Sequence, residues 1–154
     1  MFKAEKSGKM YRIPNFNLVL VREGSNRTDC KTIRGPEDAY EIARQELDIS
    51  PCEKFLAILL NTKNMVIGTS VVSSGTLNAA LVHPREVFQR AILSNAAAII
   101  VAHNHPSGNT SPSSEDLSLT RKLIESGKIL DIPVLDHIIL GDNNFTSLKE
   151  KGLM

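Results

Sequence analysis

Residues 103–116 read His-Asn-His-Pro-Ser-Gly-Asn-Thr-Ser-Pro-Ser-Ser-Glu-Asp: an H-x-H pair, seven residues, then S-x-x-D. No other stretch constrains the fold as much. Directly before it lies Ala96-Ala97-Ala98-Ile99-Ile100-Val101-Ala102, an apolar run with the length and composition of a buried strand. On an extended strand residues i and i+2 share a face, so His103 and His105 aim at one point while Asn104 turns away. Pro106 has no N–H to donate and ends regular pairing. Residues 107–112, Ser-Gly-Asn-Thr-Ser-Pro, are turn material. A helix then begins near Ser113, with Asp116 in its first turn, where negative charge is favoured. The connector is long enough to bring that carboxylate back over the two histidines.

Two imidazoles and a carboxylate are a usual ligand set for a catalytic zinc ion, which leaves its fourth position to water. Each piece also has a plain structural meaning. S-x-x-D ahead of an apolar run is a capping-box-like helix start, with Ser113 as N-cap and Asp116 at N3. A lone H-x-H is more often incidental than a ligand pair. Their joint occurrence at one junction favours a metal site at His103, His105 and Asp116. The contiguous His-Asn-His says nothing for the nucleases named after those letters, which spread them over a longer ββα unit.

H-x-H-P followed by S-x-x-D resembles the JAMM signature of JAB/MPN metalloproteases. The wider context is similar to the bacterial RadC family. That resemblance is carried by Gly75-Thr76-Leu77, Val82-His83-Pro84-Arg85-Glu86-Val87, Asn95-Ala96-Ala97-Ala98, His103-Asn104-His105-Pro106-Ser107-Gly108, Pro112-Ser113, Asp116 and Leu135-Asp136-His137. It runs from about Glu53 to Ser147. It implies Zn2+ held by His103, His105 and Asp116. It also implies an upstream glutamate, and Glu53 fits, at the mouth of the apolar run Phe55–Leu60. By resemblance Glu53 takes a proton from a metal-activated water and passes it to the leaving amine, and Ser113 steadies the oxyanion. A solvated strand end is the alternative for Glu53, and a helix cap for Ser113. Glu86, Glu115 and Glu125 are competitors for the base.

The remaining histidines read as structural. His83 precedes Pro84 and suits a turn. His137 and Asp136 lie in another strand-like run and point to opposite faces. One of them could orient a ligand, though a satisfied core polar residue is the simpler assignment.

The order of elements predicts an α/β fold: a JAB/MPN-like mixed β-sheet flanked by helices, in a single domain. Residues 1–50 are expected to form an N-terminal extension packed on the domain, with a loose start, a strand over 15–22 and a helix from Pro36 to about Leu47. Residues 51–154 form the JAB/MPN domain. There, 53–60 and 65–73 read as a hairpin across Asn61-Thr62-Lys63-Asn64. Pro84 opens a helix with an apolar stripe of Val87, Phe88, Ala91 and Ile92. After the strand into His103 comes the helix carrying Asp116, with Gly127 as its stop. A strand over 132–140 turns at Gly141–Asn144 into a short last strand.

A formal net charge of +1 and 5% aromatic residues show no global basic field or stacking surface of the kind nucleic-acid binders often carry. Nucleic-acid contact and DNA repair enter through the family label only. Larger RadC proteins carry a helix-hairpin-helix module, which the first 50 residues do not resemble; the similarity is to the short form. No apolar stretch approaches the roughly 18 residues that span a membrane, and no signal-peptide core is visible. Cys30 and Cys52 form neither a metal motif nor a disulfide framework, which suits the cytoplasm. Three readings follow: a zinc peptidase or isopeptidase acting on an unidentified peptide or protein, a non-catalytic interaction module, and a DNA-associated accessory protein.

Overall fold

The computed structural model describes residues 12–29, 31–47, 50–75 and 82–154. The expectation of a loose start, from Met1 to about Arg12, lies outside these but for Arg12 itself. Among the described residues eight elements follow in chain order: α1 (Pro36–Leu47), β1 (Lys54–Leu60), β2 (Val66–Ser74), α2 (Pro84–Leu93), β3 (Ala98–Asn104), α3 (Ser114–Leu130), β4 (Val134–Leu140) and β5 (Phe145–Ser147). The five strands form one mixed sheet in the order β2-β1-β3-β4-β5. Only β3 and β4 run parallel. Parallel neighbours need a crossover, and α3 supplies it.

The sheet is covered on both faces, which is why β1 and β3 read as continuous apolar runs instead of alternating ones. Leu56, Ile58, Leu60, Ile100 and Ile138 pack with α1. Phe55, Ala57, Leu59, Ile99 and Val101 pack with α2 and α3. On α1, Ala39, Tyr40, Ile42, Ala43 and Leu47 are buried, and Asp38 accepts the Arg34 N–H at 2.8 Å ahead of the helix. On α3 the buried positions are Asp116, Leu119, Thr120, Leu123 and Gly127, the i, i+3, i+4 spacing of a one-sided helix. Polar Asp116 and Thr120 therefore lie on the face turned to the sheet.

Three expectations are corrected. The strand over 15–22 is absent. Phe16, Leu18, Val19, Leu20 and Val21 are 62–82% exposed and enter no ladder. High β-propensity makes a strand only where a neighbouring edge takes up the backbone. Among the described residues ahead of β1, contact with the sheet comes later, at the Thr32–Met65 bridge, where Val66 N–H donates to the Lys31 carbonyl. Second, Gly127 does not stop α3, which continues to Leu130 and ends on Asp131 in a left-handed conformation. Gly127 is needed for close approach: a Cβ there would lie 2.5 Å from the Ile132 carbonyl oxygen. Third, Ile92 is 53% exposed. It lies about 100° round the helix from Ala91 and falls outside the buried arc.

Candidate metal centre

The two strands that flank Glu53 and the histidines are in register. Phe55 pairs with His103 across the antiparallel β1–β3 ladder, and continuing that register by two residues sets Glu53 opposite His105, on the same face. His103 is the sixth residue of β3 and is fully buried. His105 lies just past the strand end, where its N–H donates to the Leu140 carbonyl at 2.8 Å. A turn then closes with Gly108 N–H on the His105 carbonyl at 2.9 Å. Gly108 takes a φ of 78° there, a conformation suited to glycine.

Asp116 arrives from the other side on the first turn of α3. Ser113 is the N-cap. Its hydroxyl oxygen accepts the Asp116 N–H at 3.1 Å, and its own N–H donates to Asp116 Oδ2 at 2.8 Å. The S-x-x-D capping box is thus formed, and it also aims the carboxylate. His103 Nε2 lies 3.3 Å from Asp116 Oδ1, and His105 Nε2 lies 3.4 Å from Asp116 Oδ2. The two Nε2 atoms are 2.9 Å apart. Donor atoms of a tetrahedral zinc site with bonds of about 2.0–2.1 Å stand roughly 3.3 Å from one another. The two N···O separations match that span, each to a different carboxylate oxygen, and the two nitrogens lie a few tenths of an ångström closer; the three side chains could hold a metal ion.

The donor chemistry agrees with the spacing. His105 Nδ1 is 2.6 Å from the Asn109 carbonyl oxygen. A carbonyl only accepts, so the hydrogen of the neutral ring sits on Nδ1 and the Nε2 lone pair faces Asp116. Converging lone pairs on a buried carboxylate require a cation, either a proton or a metal. The electrostatics reflect this. Burial pushes the Asp116 carboxyl up, but hydrogen bonding with His103 and His105, the charge of His103 and the Ser113 N–H hold it well below the usual carboxylate range. The hydrogen bond to Asp116 raises the His105 pKa against the opposing effect of partial burial.

Glu53 sits just before β1, partly buried. Burial raises its pKa, opposed by the charge of His103 and His105 and reinforced by that of Asp116, so it lies within electrostatic reach of the cluster. Asn104, on the opposite face of β3, grips the chain on both sides of Glu53. Its Oδ1 accepts the Lys54 N–H at 2.8 Å and its Nδ2 donates to the Cys52 carbonyl at 3.1 Å.

The competitors stay apart. Glu86 accepts the His83 N–H at 3.3 Å at the start of α2. Glu115 and Glu125 are exposed on α3. Asp136 accepts from the Ser147 hydroxyl at 2.6 Å and the Lys149 N–H at 3.2 Å, tying down the chain around β5. His137, in contrast, joins the site: its Nε2 is 2.8 Å from His103 Nδ1, and its Nδ1 is 2.6 Å from Thr120 Oγ1. Complete burial and the His103 charge push its pKa well below the ordinary histidine range. Thr120 escaped the sequence reading. Its one signal is position: four residues after Asp116, it shares that residue's helix face.

Comparison with known proteins follows the same lines. The sequence model of a family described as RadC-like JAB domain matches residues 33–153. A protein of Desulforamulus reducens called UPF0758 protein is 56% identical over 122 residues, 79% of this chain and 54% of that protein. The UPF0758 protein of Desulforudis audaxviator is 53% identical over 122 residues, 79% of this chain and 53% of that protein. The UPF0758 protein of Methanosarcina mazei is 47% identical over 124 residues, 80% of this chain and 54% of that protein. The chain thus spans about half the length of the curated relatives it matches.

Proposed function

The chain belongs to the RadC-like JAB domain family, and on that premise we propose that it is a zinc-dependent hydrolase of amide or isopeptide bonds in a peptide or protein. The observation that carries this reading is the meeting of His103, His105 and Asp116 at close to the separations of a tetrahedral site: the two Nε2 atoms are 2.9 Å apart, His103 Nε2 is 3.3 Å from Asp116 Oδ1, and His105 Nε2 is 3.4 Å from Asp116 Oδ2. Two nitrogens and an oxygen suit zinc, and its bound form would supply Lewis acidity toward water and a substrate carbonyl. His105 is the member nearest solvent, with 18% of its side chain accessible against 0% for His103 and 2% for Asp116. Substrate therefore approaches from the His105 side.

The protein's own groups divide the remaining work. Glu53 takes a proton from the attacking water and delivers it to the leaving nitrogen. Its raised pKa makes it a stronger base than a free carboxylate. The Ser113 oxygen accepts the Asp116 N–H, and its hydroxyl hydrogen, which also lies within hydrogen-bonding reach of the exposed Glu115 carboxylate, turns to the oxyanion. Phe55 packs against both buried imidazoles, with ring centroids 6.0 Å from His103 and 5.6 Å from His137, and keeps water from the floor of the site. An exposed, free Cys52 fits a reducing compartment such as the cytoplasm. Among the described residues no helix is long and apolar enough to cross a membrane.

The test is a zinc-loaded protein screened against peptide and isopeptide libraries by mass spectrometry, with Glu53→Gln as control. The variant should keep its metal and lose roughly 10²–10⁴-fold in turnover, the usual share of a general base. Equal turnover in wild type and Glu53→Gln would contradict the assigned role.

A further inference from the structure

Four buried residues form a chain of short contacts behind the metal site. His103 Nδ1 lies 2.8 Å from His137 Nε2, His137 Nδ1 lies 2.6 Å from Thr120 Oγ1, and Thr120 Oγ1 lies 2.6 Å from the Asp116 main-chain oxygen. His103, His137 and Thr120 are 0% exposed and Asp116 is 1% exposed. No water can relieve a mismatched pair there, so every contact must hold one hydrogen.

The direction of the whole chain is decided at its far end. The Asp116 carbonyl can only accept, and two oxygens at 2.6 Å need a hydrogen between them. The single hydrogen of the Thr120 hydroxyl is therefore committed to that carbonyl, and its oxygen must accept from His137 Nδ1–H. A fully buried imidazole with no carboxylate partner stays neutral, because an unpaired buried charge is costly. With its hydrogen on Nδ1, His137 offers a lone pair at Nε2. His103 must then donate from Nδ1, which leaves the His103 Nε2 lone pair pointing at His105 and Asp116. The reverse direction would place Thr120 and the Asp116 carbonyl together with no hydrogen between them, and would cap His103 Nε2 with a hydrogen.

We propose that His137 and Thr120 are positioning residues that hold His103 in its Nδ1–H tautomer, and so keep Nε2 open as a metal ligand. The chain of contacts begins on one ligand, His103, and ends on the main chain of another, Asp116. A change in the seating of α3 is thereby felt at both. The carbonyl that sets the hydrogen directions belongs to the same residue whose side chain completes the site. The consequence for metal binding rests on the proposed metal site; the tautomer assignment does not.

Nitrogen-15 NMR of histidine-labelled protein reads the tautomer directly, in chelator-treated and zinc-loaded samples. His137 should carry its hydrogen on Nδ1 in both. Zinc affinity, measured by competition with a chromophoric chelator, should fall roughly 10–100-fold in Thr120→Val and His137→Leu. It should stay close to wild type in Thr120→Ser, which restores the hydroxyl, and recover in His137→Gln, which can again accept from His103 and donate to Thr120. An Nε2-protonated His137 in wild type overturns the proposal. So does a folded Thr120→Val protein that binds zinc as tightly as wild type. If the valine variant does not fold, the wild-type tautomer and the serine and glutamine variants still decide. Wild type that takes up no zinc would defeat the hydrolase reading, while the tautomer remains measurable in the same metal-free protein.

Discussion

Asn104 separates the two histidines in sequence and faces away from them, yet it acts on the same site. Its amide holds the peptide groups on either side of Glu53 from beneath the sheet. Replacing it by Ala frees the Glu53 segment without touching a metal donor. Asn104→Ala should therefore keep its metal content and lose roughly 10–100-fold in kcat, since misplacing a reacting group by about 1 Å can cost that much. Unchanged kcat would show that Glu53 does not depend on this clamp. A second prediction concerns the proton that a metal must displace. The raised pKa of His105 means that the metal-free cluster holds a proton below that pKa and releases it above. Metal affinity should then fall as pH drops through the raised value, by about tenfold per unit for one proton, and level off above it. Competition titrations between about pH 5.5 and 8 would show this; a flat profile would contradict it. At this scale the sequence was most legible where residue types and spacing combine, at His103, His105 and Asp116. The partners of His103 were not, because parity along β4 says that Asp136 and His137 face opposite ways without saying which face meets β3's histidine.

The helix α3 is the element in which cap and site coincide. Its start was readable as S-x-x-D, and the structure forms that cap with both reciprocal bonds. What the pattern could not reveal is the division of labour within Ser113. The N–H that steadies the Asp116 carboxylate belongs to the main chain, so it survives substitution, whereas the hydroxyl that accepts the Asp116 N–H does not. Ser113→Ala should therefore retain metal and lose about 1 kcal/mol of stability, a fall of roughly 2–4 °C in Tm at this chain length. If its hydroxyl also serves the oxyanion, kcat falls by a further roughly 10²–10³-fold. Loss of metal in this variant would place the side chain, not the main chain, in control of Asp116. The far end of α3 was misread for a definite reason. A glycine late in a helical pattern suggests a stop, but Gly127 is where the chain returning through Ile132 passes against the helix, with Ile132 N–H donating to the Gly127 carbonyl at 2.9 Å. Close tertiary approach leaves no local sequence mark.

Across the whole molecule, one mixed sheet brings three separate stretches to a single point: the segment before β1, the end of β3 and the start of α3. The apolar runs that become β1 and β3 were legible because strands buried on both faces are continuously apolar. The apolar segment around Phe16–Val21 has the same composition and forms no strand, because whether a run finds an edge is a property of the assembled sheet. The family match begins at residue 33, one residue after the bridge that first joins the described residues to the sheet. The central claim, that the junction of β3 and α3 is a metal centre, is tested most directly by elemental mass spectrometry on wild type and Asp116→Ala, purified without added metal or a histidine tag, with circular dichroism to check the fold. The account predicts about one zinc per wild-type chain and none in the folded variant. Wild type that carries no metal and takes up none when zinc is added would contradict it.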